Sequence, residues 1–142
     1  MTVLLRPPLE SDGRHVASLL SQLGYPSDKA DVRIRLRRFL DREDCFFRVA
    51  HSADSVIGLV SAELIPYFPN GSTICRVTSL VVSEQNRSRG IGEQLLAAAA
   101  IFASEHQCSG LEITSAQHRL DAHRFYARLG FSRTSVRFFR SP

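Results

Sequence analysis

Two segments of the 142-residue chain combine residue types and spacings that could do chemistry. The first runs Leu80-Val81-Val82-Ser83-Glu84-Gln85-Asn86-Arg87-Ser88-Arg89-Gly90-Ile91-Gly92-Glu93-Gln94-Leu95-Leu96. A run with the pattern of a buried strand passes through a polar turn into a glycine-spaced helix start. The first amides of a helix have no intrahelical acceptor and lie at the positive end of its dipole, so phosphate oxygens can be bound there. Gly90 and Gly92 would let backbone approach a ligand where a Cβ would collide, and Arg87 and Arg89 add positive charge. The same spacing also describes a tight loop whose glycines serve only the turn and whose arginines are solvated. Two other phosphate motifs are excluded by residue type. The dinucleotide fingerprint needs a third glycine or alanine where Leu95 stands, and the Gly-Lys-Ser/Thr of a Walker loop is absent.

The second segment is Arg119-Leu120-Asp121-Ala122-His123-Arg124-Phe125-Tyr126-Ala127-Arg128-Leu129-Gly130-Phe131. Ala122, Phe125, Tyr126 and Leu129 fall on one helical face, so Tyr126 taken alone reads as a packed side chain with its hydroxyl satisfied nearby. His118 and His123 lie five apart with no third ligand at a metal spacing, which favours surface or capping roles over a metal site. His51 and His106 read as structural. The arginines from Arg33 to Arg42 could meet a phosphonate, phosphate or carboxylate. They could equally form a solvated face paired with Asp31, Asp41 and Glu43, the reading that the low value of exposed ion pairs favours.

The elements that must position these residues follow from periodicity. Thr2 to Arg6 reads as a strand stopped by Pro7 and Pro8. A helix capped by Ser11 or Asp12 carries Val16, Leu19, Leu20 and Leu23 at helical spacing and closes at Gly24. A second helix, Asp28 to Asp41, carries Val32, Leu36, Phe39 and Leu40. Cys45 to His51 and Val56 to Ile65 suggest an antiparallel hairpin, and Thr73 to Val82 is a third strand. Gly90 to Gln107 is a long helix with the apolar row Ile91, Leu95, Ala99 and Phe102. A strand from Leu111 to Ser115, a helix from Asp121 to Leu129 and a last strand from Phe131 to Phe139 complete the order βααβββαβαβ, a mixed α/β sandwich.

Composition narrows the function classes. The length fits one domain spanning 1–142, and 44% hydrophobic with 23% charged residues lies away from disordered or fibrous chains. The longest apolar run, Leu95 to Ala103, falls well short of the ~20 residues of a membrane helix. The start shows no secretory pattern, so a cytoplasmic location is expected. Cys45, Cys75 and Cys108 lack metal-knuckle or redox spacing and read as reduced core thiols. Residues 1–71 hold nine basic and nine acidic side chains and residues 72–142 hold nine and five, so the net charge of +4 sits in the second half. Only Lys29 among the 18 cations is lysine, and arginine suits fixed bidentate contact with phosphate or carboxylate. A polyanionic ligand fits that half. A nucleic-acid module is disfavoured, because no helix-turn-helix, zinc or aromatic RNA-reading motif accompanies the charge.

The pattern Arg87-x-x-Gly90-x-Gly92 after a strand, with Ala122-x-x-Phe125-Tyr126-x-x-x-Gly130-Phe131 beginning thirty residues after Gly92, resembles the paired motifs of the GNAT superfamily of acyl-CoA-dependent N-acyltransferases. The likeness covers nearly the whole chain, from Arg6-Pro7 and the two early helices to the last strand. Asp121-Ala122-His123-Arg124-Phe125-Tyr126 and the Arg137-Phe138 ending are most similar to the short aminoalkylphosphonate N-acetyltransferases.

The resemblance implies a mostly antiparallel mixed sheet flanked by helices on both faces, with acetyl-CoA as co-substrate in a V-shaped splay between the strands ending at Val82 and Ser115. Backbone groups of Leu80, Val81 and Val82 would meet the pantetheine arm and acetyl carbonyl. The turn of Arg87, Ser88, Arg89, Gly90, Ile91, Gly92 and Glu93 would hold the pyrophosphate. Tyr126 would protonate the departing thiolate after direct attack by an amine in a ternary complex, with no metal and no covalent enzyme intermediate. Ser79 and Arg76 stand where relatives often carry acids, leaving Glu63 as the substitute base, and Arg119 replaces an asparagine common seven residues before the tyrosine. The expected acceptor is a small primary amine, including one with an anionic group. The alternatives are a protein N-terminus or lysine as acceptor, and a non-catalytic acyl-CoA-binding regulator. Dimers are common in the superfamily, so a homodimer is compatible with the resemblance.

Overall fold

The computed structural model describes residues 2–142. In chain order its elements are β1 (Leu4–Arg6), α1 (Gly13–Leu23), α2 (Lys29–Leu40), β2 (Cys45–Ser52), β3 (Ser55–Tyr67), β4 (Ser72–Val82), α3 (Ile91–Glu105), β5 (Gly110–Ile113) and α4 (Leu120–Arg128), with single 3₁₀ turns at Glu10–Asp12 and Glu84–Asn86. The five strands form one sheet in sequence order. β1 to β4 pair antiparallel, whereas β4 and β5 are parallel, because α3 carries the chain back across the sheet between them.

Each sheet face has its own core. Val60, Ala62, Cys75 and Val77 meet Ile91, Leu95, Ala99 and Phe102 of α3, the row expected from periodicity. On the other face Val49, Leu59 and Val81 meet Val16 and Leu19 of α1 and Val32 and Leu36 of α2. Phe39 and Leu40 depart from the expected stripe and stay partly exposed. Both lie in the last turn of α2, where the Arg42 guanidinium is 5.7 Å from the Phe39 ring centre.

The alternation of β4 changes phase midway. Ser61 pairs with Ser79 and Ala62 with Val77, so Thr78 is an extra residue bulged from the ladder. Cys75 and Val77 therefore share a face with Leu80 and Val82, while Val81 packs on the opposite side.

Two expectations are corrected. Asp12 precedes α1, but its carboxylate makes no capping bond to the helix. Instead it accepts from both guanidinium nitrogens of Arg6 at 2.8 and 3.0 Å and from the Leu9 amide at 2.7 Å, tying β1 to the start of α1. The predicted last strand, Phe131 to Phe139, is not a strand. Strand structure needs a ladder partner for the backbone N–H and C=O groups, and this segment lies along none of the five strands.

Candidate active site

The β4·β5 ladder ends at Val77 opposite Ile113. Beyond it β4 continues to Val82, still paired to β3 on its far side, while β5 stops. From Leu80 to Val82, β4 therefore has no strand partner on the β5 side. Val82 O is engaged by Arg87 Nε at 3.2 Å, which folds the following loop back onto the strand end.

That loop is held by short local bonds. Ser83 is buried; its amide donates to Ile57 O at 2.8 Å and its Oγ accepts from Asn86 Nδ2 at 2.7 Å. Ser88 and Gly90 then adopt left-handed backbone, at φ 64° and 78°, which turns the chain into α3. The first intrahelical bond runs from Gln94 N to Gly90 O, 3.1 Å, so the amides of Ile91, Gly92 and Glu93 are the ones with no acceptor inside the helix. Gly90 is required by its backbone angle, and a Cβ there would point into open space. Gly92 also has a packing reason: a Cβ would lie 3.3 Å from Phe125 Cζ and 3.8 Å from Val82 Cγ2. Its bareness brings α3, α4 and the end of β4 together, and leaves the helix start available to an anion.

Tyr126 lies half-buried on α4, its ring centre 5.6 Å from Phe125 and 5.8 Å from Phe131. Burial raises its phenol above the ordinary pKa, and the nearby Arg119 cation, which acts the other way, does not cancel this. Tyr126 is therefore an O–H donor at neutral pH. Arg119 donates to Leu23 O at the end of α1, and Gln22 Oε1 in the same helical turn accepts from the Glu84 amide at 3.0 Å. The last turn of α1 thus touches both the β4 loop and the entry to α4. Spacing gave no sign of either contact; the nearest signal was Gly24, whose left-handed φ of 105° ends α1 there.

Glu63 lies elsewhere. It faces the α2 side of the sheet in a hollow of about 110 Å³ with Phe39, Phe47, Ser61 and Thr78, 3.8 Å from Arg42. Tyr126 belongs to the α3 face, and no hydrogen bond joins the two among the described residues. Arg76 opposes Glu63 in register and pairs with Glu112 of β5 at 2.6 Å. Ser79 shares hydroxyl contact with Ser61, which also meets Thr78 Oγ1 at 2.8 Å. The arginine cluster of α2 is exposed, but its partners are Glu10 for Arg37 and Asp44 for Arg42, not the expected Asp31, Asp41 and Glu43.

The remaining groups offer little chemistry. Burial, with a smaller contribution from Cys108, pushes the Cys75 thiol up to about 11, so it holds its proton at neutral pH. His123 Nε2 contacts Ala116 O at 3.0 Å, a local cap of the α4 entry. No group of three or more His, Cys, Asp or Glu could hold a metal among the described residues, and no described helix is long and apolar enough to cross a membrane.

Comparison with known proteins places this geometry. The model of the Acetyltransferase (GNAT) family matches residues 14–131. The aminoalkylphosphonate N-acetyltransferase of Salmonella typhimurium is 32% identical over 95 residues, 67% of this chain and 62% of that protein. N-acetyltransferase 8F1 of Rattus norvegicus is 28% identical over 112 residues, 79% of this chain and 49% of that protein. The chain thus spans about half to three fifths of these relatives' length. Among solved structures, a transcriptional regulator from Bacillus halodurans C-125 superposes with a TM-score of 0.90 at 22% identity, over 99% of each chain. The aminoglycoside N-acetyltransferase AAC(6')-Iy in complex with CoA gives 0.86 at 20% identity, over 99% of this chain and 95% of that one. Both likenesses are of fold.

Proposed function

The chain belongs to the GNAT family of acetyltransferases, and from that premise we propose that it transfers an acetyl group from acetyl-CoA to the primary amine of a small molecule. The observation that carries this reading is the packing of Gly92 against Phe125 and Val82, which sets the open α3 N-terminus, the free edge of β4 and Tyr126's helix around one cleft. These residues fit the co-substrate: an anion-binding helix start with arginines beside it, an unladdered strand edge for an amide-bearing arm, and a protonated phenol.

Acetyl-CoA supplies the activated thioester. The amides of Ile91, Gly92 and Glu93, with Arg87, Ser88, Arg89 and Gly90 in the preceding turn, bind its diphosphate. Backbone of Leu80 and Val81 holds the arm, and an N–H at Val82 stabilises charge developing on the carbonyl oxygen. Tyr126 gives its proton to the leaving sulfur. An alkyl amine with a pKa near 10 arrives protonated, and freeing its lone pair at pH 7 costs about 4 kcal/mol. Because Glu63 faces the α2 side of the sheet, away from Tyr126, we assign acceptance of that proton to Glu63 acting through water. Replacing Glu63 with Gln should then lower kcat/KM at pH 7 by about 10²-fold, with recovery at high pH where the amine is already neutral. A pH–rate profile of unchanged shape and height would remove the assignment.

An anionic aminoalkyl acceptor suits the exposed Arg35 and Arg38 on α2, and the Salmonella relative bears the name of such a substrate. Within this reading residues 1–142 act as one domain, and three unpaired thiols fit a reducing, cytoplasmic setting. CoA at a hundred times its dissociation constant should stabilise the fold by about 2.7 kcal/mol, raising the melting temperature by roughly 10 °C for a chain of this size. Folded protein that shows neither a shift nor calorimetric heat with CoA or acetyl-CoA overturns the proposal. Parallel assays of aminoalkylphosphonates, other small amines and peptides identify the acceptor class.

A further inference from the structure

The last turn of α1 offers a seat for a cation. Leu20 O and Ser21 O accept from the Gly24 amide, and Leu20 O also accepts from Tyr25 N at 2.8 Å. Leu23 O takes its donor from elsewhere, the guanidinium of Arg119, ninety-six positions away. Gly24, at φ 105°, makes room for it: a Cβ there would stand 3.3 Å from Arg119 Nη2. A cation also suits the negative end of a helix dipole. The seat is braced, because Gln22 Oε1 in the same turn accepts from the Glu84 amide at 3.0 Å. Arg119 is half-buried and stands at the cap position of α4, and Tyr126 follows two turns further along the same face. Seven residues rise only about 10 Å, and helical side chains lean toward the N-terminus, so the Tyr126 ring reaches back toward Arg119. Tyr126 also lines a hollow of about 1220 Å³ with Glu93 of α3, Glu112 of β5, His123 of α4, and Arg133 and Arg137 of the tail that follows α4, residues 131–139. The charge that acts on the phenol, against burial, is that of Arg119.

We infer that Arg119 is a positioning residue for the acetyl transfer, acting through Tyr126: held at the end of α1, its cation stabilises the negative charge left on the phenol oxygen when the proton departs. This rests on the reading of Tyr126 as the general acid. Tyr126 gives its proton to the electron pair left on sulfur as the C–S bond breaks, stands as a phenolate, and recovers a proton from solvent before the next turnover. An ordinary phenol at about 10 is a weaker acid than an ordinary thiol at about 8.5, so the transfer runs uphill. Burial steepens it by disfavouring the phenolate, and a fixed cation makes it shallower. Exposed ion pairs are worth little, partly because two mobile side chains must be ordered in water. Arg119 avoids much of that cost, since Leu23 O and the space at Gly24 hold it before the phenol is charged. The asparagine common at this position in the superfamily carries no charge, so the effect belongs to a chain with a cation here.

Arg119→Gln keeps an N–H donor for Leu23 O and removes the charge, whereas Arg119→Lys keeps the charge. With the three tyrosines replaced by 3-fluorotyrosine, whose ring fluorine brings the phenol titration to lower pH, fluorine NMR follows each of them. The signal absent from a Tyr126→Phe sample identifies Tyr126. Its titration midpoint should rise by about one pH unit in Arg119→Gln and by less than about half of that in Arg119→Lys. Arg119→Gln should also lower kcat about three- to tenfold, with KM for acetyl-CoA within about twofold and the alkaline limb of kcat moved to higher pH. Arg119→Lys should restore most of the rate. Mere loosening of α4 would give the opposite sign, because a more exposed phenol titrates lower. A Tyr126 midpoint that stays or drops in Arg119→Gln, or an Arg119→Lys protein no better than Arg119→Gln, overturns the inference. The NMR titration needs no turnover, so the two readings fail in distinguishable ways. An unmoved midpoint beside a slow Tyr126→Phe enzyme removes this inference alone, whereas a midpoint that rises beside a Tyr126→Phe enzyme of full rate removes the acid role and this inference with it.

Discussion

The Tyr126→Phe enzyme should turn over about 10²- to 10⁴-fold more slowly than the parent, the range lost when a positioned general acid is removed, with CoA affinity within about twofold of the original. The split follows from position. The diphosphate site is on α3 and its preceding loop, whereas Tyr126 is on α4, where phenylalanine can keep the ring contacts with Phe125 and Phe131. Burial holds the phenol above its ordinary pKa despite the opposing Arg119 charge. The acid form is the competent one, so activity that depends on it persists below that raised pKa and falls only above the range of a free phenol. The variant should lack this alkaline limb. Steady-state kinetics with a fixed amine across pH, alongside calorimetry with CoA, measure both parts. An undiminished rate would leave Tyr126 a packing residue.

Asp12→Ala should destabilise the fold by about 3 kcal/mol at pH 7, toward the low end of the cost of breaking a buried ion pair because Arg6 keeps some solvent contact. Burial by itself would raise the Asp12 carboxyl. The Arg6 fork and the Leu9 amide outweigh it, helped by the charges of Arg6 and His15, so the group lies below its ordinary value of 3.8. A carboxyl depressed by folding adds stability above its unfolded pKa and loses it as pH falls through the folded one. The parent should therefore weaken in acid below about pH 4, and the gap between parent and variant should narrow there. Urea unfolding at pH 7 and pH 3 reads both values. An equal cost at the two pH values would assign the effect to lost packing instead of charge.

The helices were legible because their signals are local: Val16 and Leu19, Val32 and Leu36, and the α3 row all recur at helical spacing and are buried. The same holds for the glycine-rich turn, whose left-handed Gly90 is a property of a few consecutive residues. What spacing could not show depends on distant partners. Asp12 has the residue type of a cap, yet Arg6 competes for its carboxylate. Gly92 has the spacing of a ligand-binding turn, but that spacing does not show that its bareness also makes room for Phe125, thirty-three positions away. The tail has a strand's composition, but a strand also needs an edge to lie against. With Ser79 and Arg76 where acids are common, Glu63 is the acid that remains, and register sets it on the α2 face, away from Tyr126's cluster.

The bulge at Thr78 makes the length of β4 as meaningful as its composition. Drawing Thr78 into the ladder as an ordinary strand residue, with no residue lost, would rotate everything after it by half a turn, sending Leu80 and Val82 toward the α1 face and Val81 toward α3. The edge that borders the cleft would then present the wrong groups although every residue of the strand's second half was intact. Conservative exchanges along 72–82 are thus a mild change, whereas a single insertion or deletion away from the bulge is a severe one.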